Sequence, residues 1–219
     1  MRLGDGERGA ATLLAIAALL LVGAIGAALI LVSSTEIAIA ASFRRGVEAR
    51  DAATAIIARG LDEFADSPDW AAAIAGTTLS SINDGAAGMR MLADGSTVDL
   101  PRVVNLANCA QTTSCTAADL ATVTRDRPWG PNNPSWRLYA YGPLPGVLSA
   151  ATPIDSPYYV ALLVADDPSG SHRVPAGEWE GLSMRGESFG PHGAHAVVEV
   201  ILRRTVNSPI TALSWREAR

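Results

Sequence analysis

The chain has little cysteine, no charged tracts and none of the common catalytic motifs. In 219 residues there are only two cysteines, Cys109 and Cys115. A zinc site would need two further ligands at compatible spacing, and the surrounding sequence lacks them. No run of five or six like charges occurs, and the formal net charge of −5 is mild. A basic nucleic-acid arm and an acidic tail are both unsupported, so no nucleic-acid partner is expected. Lysine is absent, which carries no functional information by itself. Aromatics are few, and four of the five Trp and all four Tyr lie after residue 128. The packed domain is therefore weighted toward the C-terminal half.

Catalytic signatures are missing as well. The chain contains no Gly-x-Ser-x-Gly, no Walker-type Gly-x-x-x-x-Gly-Lys and no His-Glu-x-x-His. Ser169 and Ser171 lie near His172 in a Gly-containing turn, with no sign of an activating partner. The expectation is a non-enzyme without a cofactor.

Proline is absent from Met1 to Ser67, and that absence frames what is present. From Ala10 to Val32 there are 23 consecutive uncharged residues, with Thr12 the only polar one. At 1.5 Å per residue this makes a helix of roughly 35 Å, long enough to cross a hydrocarbon core with some tilt. Gly23, Gly26 and many alanines keep one face small and open to close helix packing. A cleavable secretory signal, with Ala38-Ile39-Ala40 as its small-x-small site, is the competing reading. The apolar run is longer than an ordinary h-region, and Glu36 sits where cleavage would fall. Arg2 and Arg8 precede the span and Arg44 and Arg45 follow well beyond it, a weak positive-inside bias.

Past the span, Ala40, Phe43, Val47, Ala53, Ile57, Leu61 and Phe64 recur mostly at gaps of three and four. Arg44, Arg45, Glu48, Asp51, Arg59 and Asp62 occupy the opposite side. Pro68 is the natural stop. Nothing forces a break at Ser33-Ser34, so one continuous helix of about 55 residues, roughly 80 Å long, is expected; two helices broken there are the alternative.

The head Glu7-Arg8-Gly9-Ala10-Ala11-Thr12-Leu13-Leu14, a short polar leader ending in Gly before a hydrophobic helix, resembles a type IV prepilin leader. It is similar in particular to the PilX-type minor pilin family. Ser34-Thr35-Glu36, Ala40-Ala41, Arg45, Glu48-Ala49 and Ala52-Ala53 resemble the juxtamembrane helix of that family. The likeness covers roughly residues 7–65; beyond them it extends only to overall plan and a closing strand pair. It implies cleavage between Gly9 and Ala10 by a prepilin peptidase, followed by side-by-side packing with other pilin-like subunits. The product would sit in the inner membrane with a periplasmic C-terminal domain, or in a pilus or pseudopilus.

Two positions depart from the pattern. Ala10 stands where major pilins have Phe, and Leu14 where they carry Glu at the fifth mature position. A carboxylate in lipid is expensive unless it is paired. In major pilins it is thought to meet a neighbour's amino terminus. Leu14 therefore points to a special place such as the tip, as in K-type pseudopilins, or to a protein that never enters a fibre.

The remainder is expected to be α+β, a long helix packed on an antiparallel sheet in a pilin-like plan. The expected segments are a leader 1–9, a membrane half-helix 10–32, its amphipathic extension 33–66, a loop-rich stretch 67–135, a β domain 136–206 and a tail 207–219. In the loop-rich stretch, short helices are expected at 70–75 and 116–122. Thr116 and Asp119 supply a capping-box-like signal for the second. Short strands are expected at 89–92 and 97–100, and Arg127 to Pro134 forms a Pro-stiffened connector. Strands are expected at 136–141 and 158–165, with a hairpin of 181–189 and 195–204. In its second arm Ala196, Val198, Val200 and Leu202 form the face for the helix. The tail either docks or frays.

Cys109 and Cys115 read as a small disulfide loop in an oxidising compartment, contributing about 2–2.5 kcal/mol on the chain-entropy model; two free thiols in a cytosolic protein are the alternative. Asp166 and Asp167 at a strand end are weak calcium candidates, although Asp-Pro-Ser-Gly is ordinary turn chemistry. His192 and His195 form a His-x-x-His that supplies only two of a metal's ligands. A stand-alone bitopic binding or adhesion protein is the alternative to the assembly reading.

Overall fold

A computed structural model describes residues 5–67, 70–148, 154–167, 180–204 and 210–218, with side chains from Gly9 onward. The chain divides into two compact units, 1–44 and 45–219.

Helix α1 (Asp5–Asp66) has no break at Ser33-Ser34. There the Ser34 and Thr35 hydroxyls donate back to the Leu31 carbonyl at 2.8 and 2.9 Å, so neither polar group is stranded on an apolar surface. Within the first unit the helix is exposed on every side: Leu13, Leu20, Leu29 and Ile37 are all more than 60% accessible. Phe43 is 75% exposed. It belongs to the first unit rather than to the buried stripe its spacing suggested. It is the one helix long and apolar enough to cross a membrane among the described residues.

In the second unit the stripe is tighter than the sequence indicated. Ala49, Ala52, Ala53, Ile56, Ile57 and Phe64 are buried against the sheet. Five strands form that sheet in chain order, each antiparallel to the next: β3 (Arg137–Pro143), β4 (Tyr159–Asp166), β5 (Glu180–Phe189), β6 (His195–Arg204) and β7 (Thr211–Ala218). The fold is therefore α+β. On the helix side sit Val160, Leu162, Leu182, Met184, Val198, Val200 and Leu202. Two glycines permit this contact. A Cβ on Gly186 would lie 2.5 Å from the Ala53 carbonyl oxygen, and one on Gly60 would collide with the Leu162 and Met184 side chains. Phe64 closes the far end, packed on Tyr139 and edge-on to Trp70 of α2 (Trp70–Ile74), whose indole donates to the Phe64 carbonyl at 3.1 Å.

The opposite face of the sheet carries a second layer over β3 and β4. Strands β1 (Met89–Met91) and β2 (Thr97–Asp99) pair and lead into α3 (Leu100–Cys109). Leu100, Val103 and Ala107 of α3 pack on Trp136, Tyr159, Ala161 and Leu163. This helix falls inside the stretch read as loop from sequence. Pro101, which looks like a breaker, stands in the first turn, where its missing N–H has no partner to lose. Thr116 and Asp119 form the expected reciprocal cap on α4 (Ala117–Leu120). A one-turn helix α5 (Leu144–Val147) follows β3. Outside β3, residues 80–84 run along the strand edge, with Ser80 N–H to the Tyr139 carbonyl at 3.0 Å and Tyr141 N–H to the Ile82 carbonyl at 3.1 Å. The tail docks as β7, a strand with almost no buried residue of its own.

Candidate functional site

Gly9 and Ala10 lie within helix α1, and Ala10 and Leu14 are exposed, Leu14 by 72%. A Cβ on Gly9, Gly23 or Gly26 would meet nothing. The small face of the apolar segment is thus free in its unit, available to lipid or to another helix.

Cys109 and Cys115 are joined as a disulfide with Cα atoms 6.0 Å apart, which closes the short loop between α3 and α4. The two histidines have different contacts. His195 Nε2 lies 3.0 Å from Glu187 Oε2 with its ring stacked on Phe189, and the His192 backbone N–H donates to Asp94 Oδ2 at 3.0 Å. With Ser96 donating from both hydroxyl and backbone, that contact holds the Asp94 carboxyl down at about 2. Asp166 ends β4 opposite Leu182, and Asp167 is 3% exposed. Pro168, Ser169, Gly170, Ser171 and His172, which would complete the calcium or serine readings, lie outside the described residues. Among the described residues no three His, Cys, Asp or Glu side chains gather as a metal would require.

The most concentrated chemistry lies on the sheet's second face, over β5, β6 and β7. Arg185 donates through Nε to Glu187 at 2.6 Å and through Nη1 to Glu199 at 2.7 Å. Arg216 on β7 donates through Nε to the other Glu199 oxygen at 2.9 Å. Burial pushes the Glu187 carboxyl up, but the His195 ring and the Arg185 guanidinium outweigh it and hold the group below its ordinary range. Burial likewise depresses the Arg185 guanidinium, and its two carboxylate partners more than restore it.

The sequence shows this cluster only as a mixed outer face on the second hairpin arm. Its signal is alternation: Arg185 and Glu187 stand two apart on β5, and β6 places Glu199 directly opposite Arg185. Arg216 could not be foreseen, because β7 was not legible as a strand.

Next to the cluster, between it and the α3–α4 layer, is a cavity of about 890 Å³ lined by Ala107, Arg127, Trp136, Ser183, Arg185 and Glu199. No family model, curated protein or solved structure matches this chain. Function therefore has to be argued from its own residues.

Proposed function

We propose that the chain is a minor-pilin-like or pseudopilin-like subunit, anchored in the membrane by its N-terminal helix, that primes, caps or modulates a type IV pilus or related secretion fibre. The observation that carries this reading is the uncharged segment 10–32, helical and exposed on all sides in its unit. Such a surface is unfavourable in water and is satisfied by lipid, by neighbouring helices, or by each in turn. The second unit has its own core against residues 49–64 of the same helix, so the apolar part is free to serve as anchor and packing surface. The PilX-like head and juxtamembrane residues direct the choice toward pilin-type assembly. The role is structural rather than catalytic. Its partners would be the membrane, other pilin-like subunits and a prepilin peptidase, with the sheet domain on the periplasmic side of the inner membrane.

Gly9 and Ala10 are helical, so scission between them requires the first turns to unwind. Glycine is about 1 kcal/mol worse than alanine in a helix interior, which eases that opening at the expected position. Leu14 removes the carboxylate that would pair with a neighbour's amino terminus and favours a terminal place in the fibre.

The test is the N-terminal sequence of the mature protein from its native membrane. A start at Ala10 supports the proposal. An intact Met1 in cells with an active prepilin peptidase defeats it, and a start near Ala41 would make the chain a secreted domain.

A further inference from the structure

Beyond Met1 the chain has three methionines, and the fold treats them in opposite ways. Met184 on β5 is fully buried against α1, with its methyl end beneath Gly60, where even a Cβ would collide with it. Met89 and Met91 on β1 are 68% and 79% exposed. Methionine is ordinarily a core residue, so two thioethers bared on one short strand are unusual.

Their exposure is built into the strand. Successive side chains point to opposite faces of a pleat, and Arg90, between the two methionines, is held inward. It donates through Nε to Asp84 at 2.9 Å and through Nη2 to the Ala86 carbonyl at 2.6 Å, and its guanidinium lies 6.0 Å from the centre of the Tyr141 ring. Its cross-strand partner Val98 is buried among the residues of the α3 layer. With that face fixed, Met89 and Met91 share the other one, opposite Asp99 and Thr97 and about 7 Å apart along the strand.

Access decides how a thioether reacts. Its sulfur lone pair attacks one oxygen of a peroxide; the S–O bond forms as the O–O bond breaks, and the departing hydroxide takes up the remaining proton as water. Sulfur is oxidised by two electrons and the peroxide is reduced. At Met184 the product would place a polar oxygen in the apolar core. At Met89 and Met91 the new oxygen stays in water. Reversal uses two thiols of a reductase, which become a disulfide while the oxygen leaves as water, and the reductase has to reach the side chain.

We propose that Met89 and Met91 form a reversible oxidation site, converted to sulfoxides by peroxide-class oxidants while the fold stays intact and restored by methionine sulfoxide reductases. The proposal goes beyond the assembly reading and stands whether or not the N-terminal helix enters a fibre.

The experiment exposes the full-length chain, in maltoside micelles, to millimolar hydrogen peroxide, then quenches and digests it with trypsin. With no lysine in the chain, cleavage after Arg59, Arg90, Arg102, Arg173 and Arg185 puts Met89, Met91 and Met184 on separate peptides for mass spectrometry. Sulfoxide should accumulate at Met89 and Met91 within about threefold of the rate for free methionine. Met184 should react at least about a hundredfold more slowly, because a sealed core residue is reached only when the fold opens. The oxidised chain should keep its thermal midpoint, and reductases of both stereospecificities should return both peptides to their original mass. Replacing the pair by Met89→Leu and Met91→Leu should leave the midpoint in place. Oxidation of Met184 at a rate comparable with the pair overturns the proposal. So does a midpoint that falls once Met89 and Met91 alone are oxidised, or sulfoxides that the reductases cannot remove from the folded chain.

Discussion

At Glu187 a single side chain ties two neighbouring strands together. It is 4% exposed on β5, accepts from Arg185 on the same strand, and faces His195 at the start of β6. Its folded pKa is held below the ordinary 4.5. The unfolded chain therefore takes up the proton first as pH falls. The stabilisation is complete above about 4.5 and is lost as pH drops through the folded value. Glu187→Gln keeps the shape but surrenders the charge that Arg185 and His195 use. It should cost about 1–3 kcal/mol at neutral pH, and the gap from wild type in urea unfolding should close as the pH is lowered toward 3. A gap that stays constant with pH would mean that the carboxylate's charge contributes nothing.

The elements differ in how plainly the sequence announces them, and the difference follows burial. Strands β4, β5 and β6 were legible because Val160, Leu162, Met184, Val198 and Val200 each face a core and therefore alternate or cluster. Helix α1 was legible from its uninterrupted apolar run and the later stripe through Ala53, Ile57 and Phe64. Helix α3 was missed although Leu100, Val103 and Ala107 are spaced for one face, because Pro101 reads as a breaker until its place in the first turn is known. Strand β7 has nothing to show. Its residues are nearly all exposed, and it exists through its ladder to β6 and the contacts of Arg216 with Glu199 and Glu217 with Arg50. Removing residues 211–219 therefore has a definite expected outcome. Loss of the charged hydrogen bonds from Arg216 alone should cost about 1.5–3 kcal/mol. The bared β6 edge, backed by Val197 and Ile201, should then drive association of the sheet domains. A truncated chain that keeps its thermal midpoint and a monodisperse elution profile in detergent would show that β7 is an ornament to the sheet.

For the whole molecule, the proposed role turns on one position in the apolar segment. Leu14 stands where a paired carboxylate would let a subunit sit between two others, and its exposed side chain meets no neighbour that would forbid a change. A lone charge at the centre of a membrane helix costs about 2.5–3.5 kcal/mol on insertion scales, and less toward the helix end, where this residue lies. Leu14→Glu should therefore still insert, but with a group that only a neighbouring amino terminus can neutralise. If wild-type chain is confined to a fibre end, the variant should rise from trace amounts in sheared fibres to a larger share of the fibre fraction. That gain should disappear when Gly9 is also replaced, because an unprocessed chain keeps its leader and the packing surface stays blocked. If the variant and wild type partition identically between membrane and fibre fractions while both begin at Ala10, the leucine is not what places the subunit. The terminal position would then have to come from the sheet domain, which the exposed β7 edge and the outer cavity would be the first regions to account for.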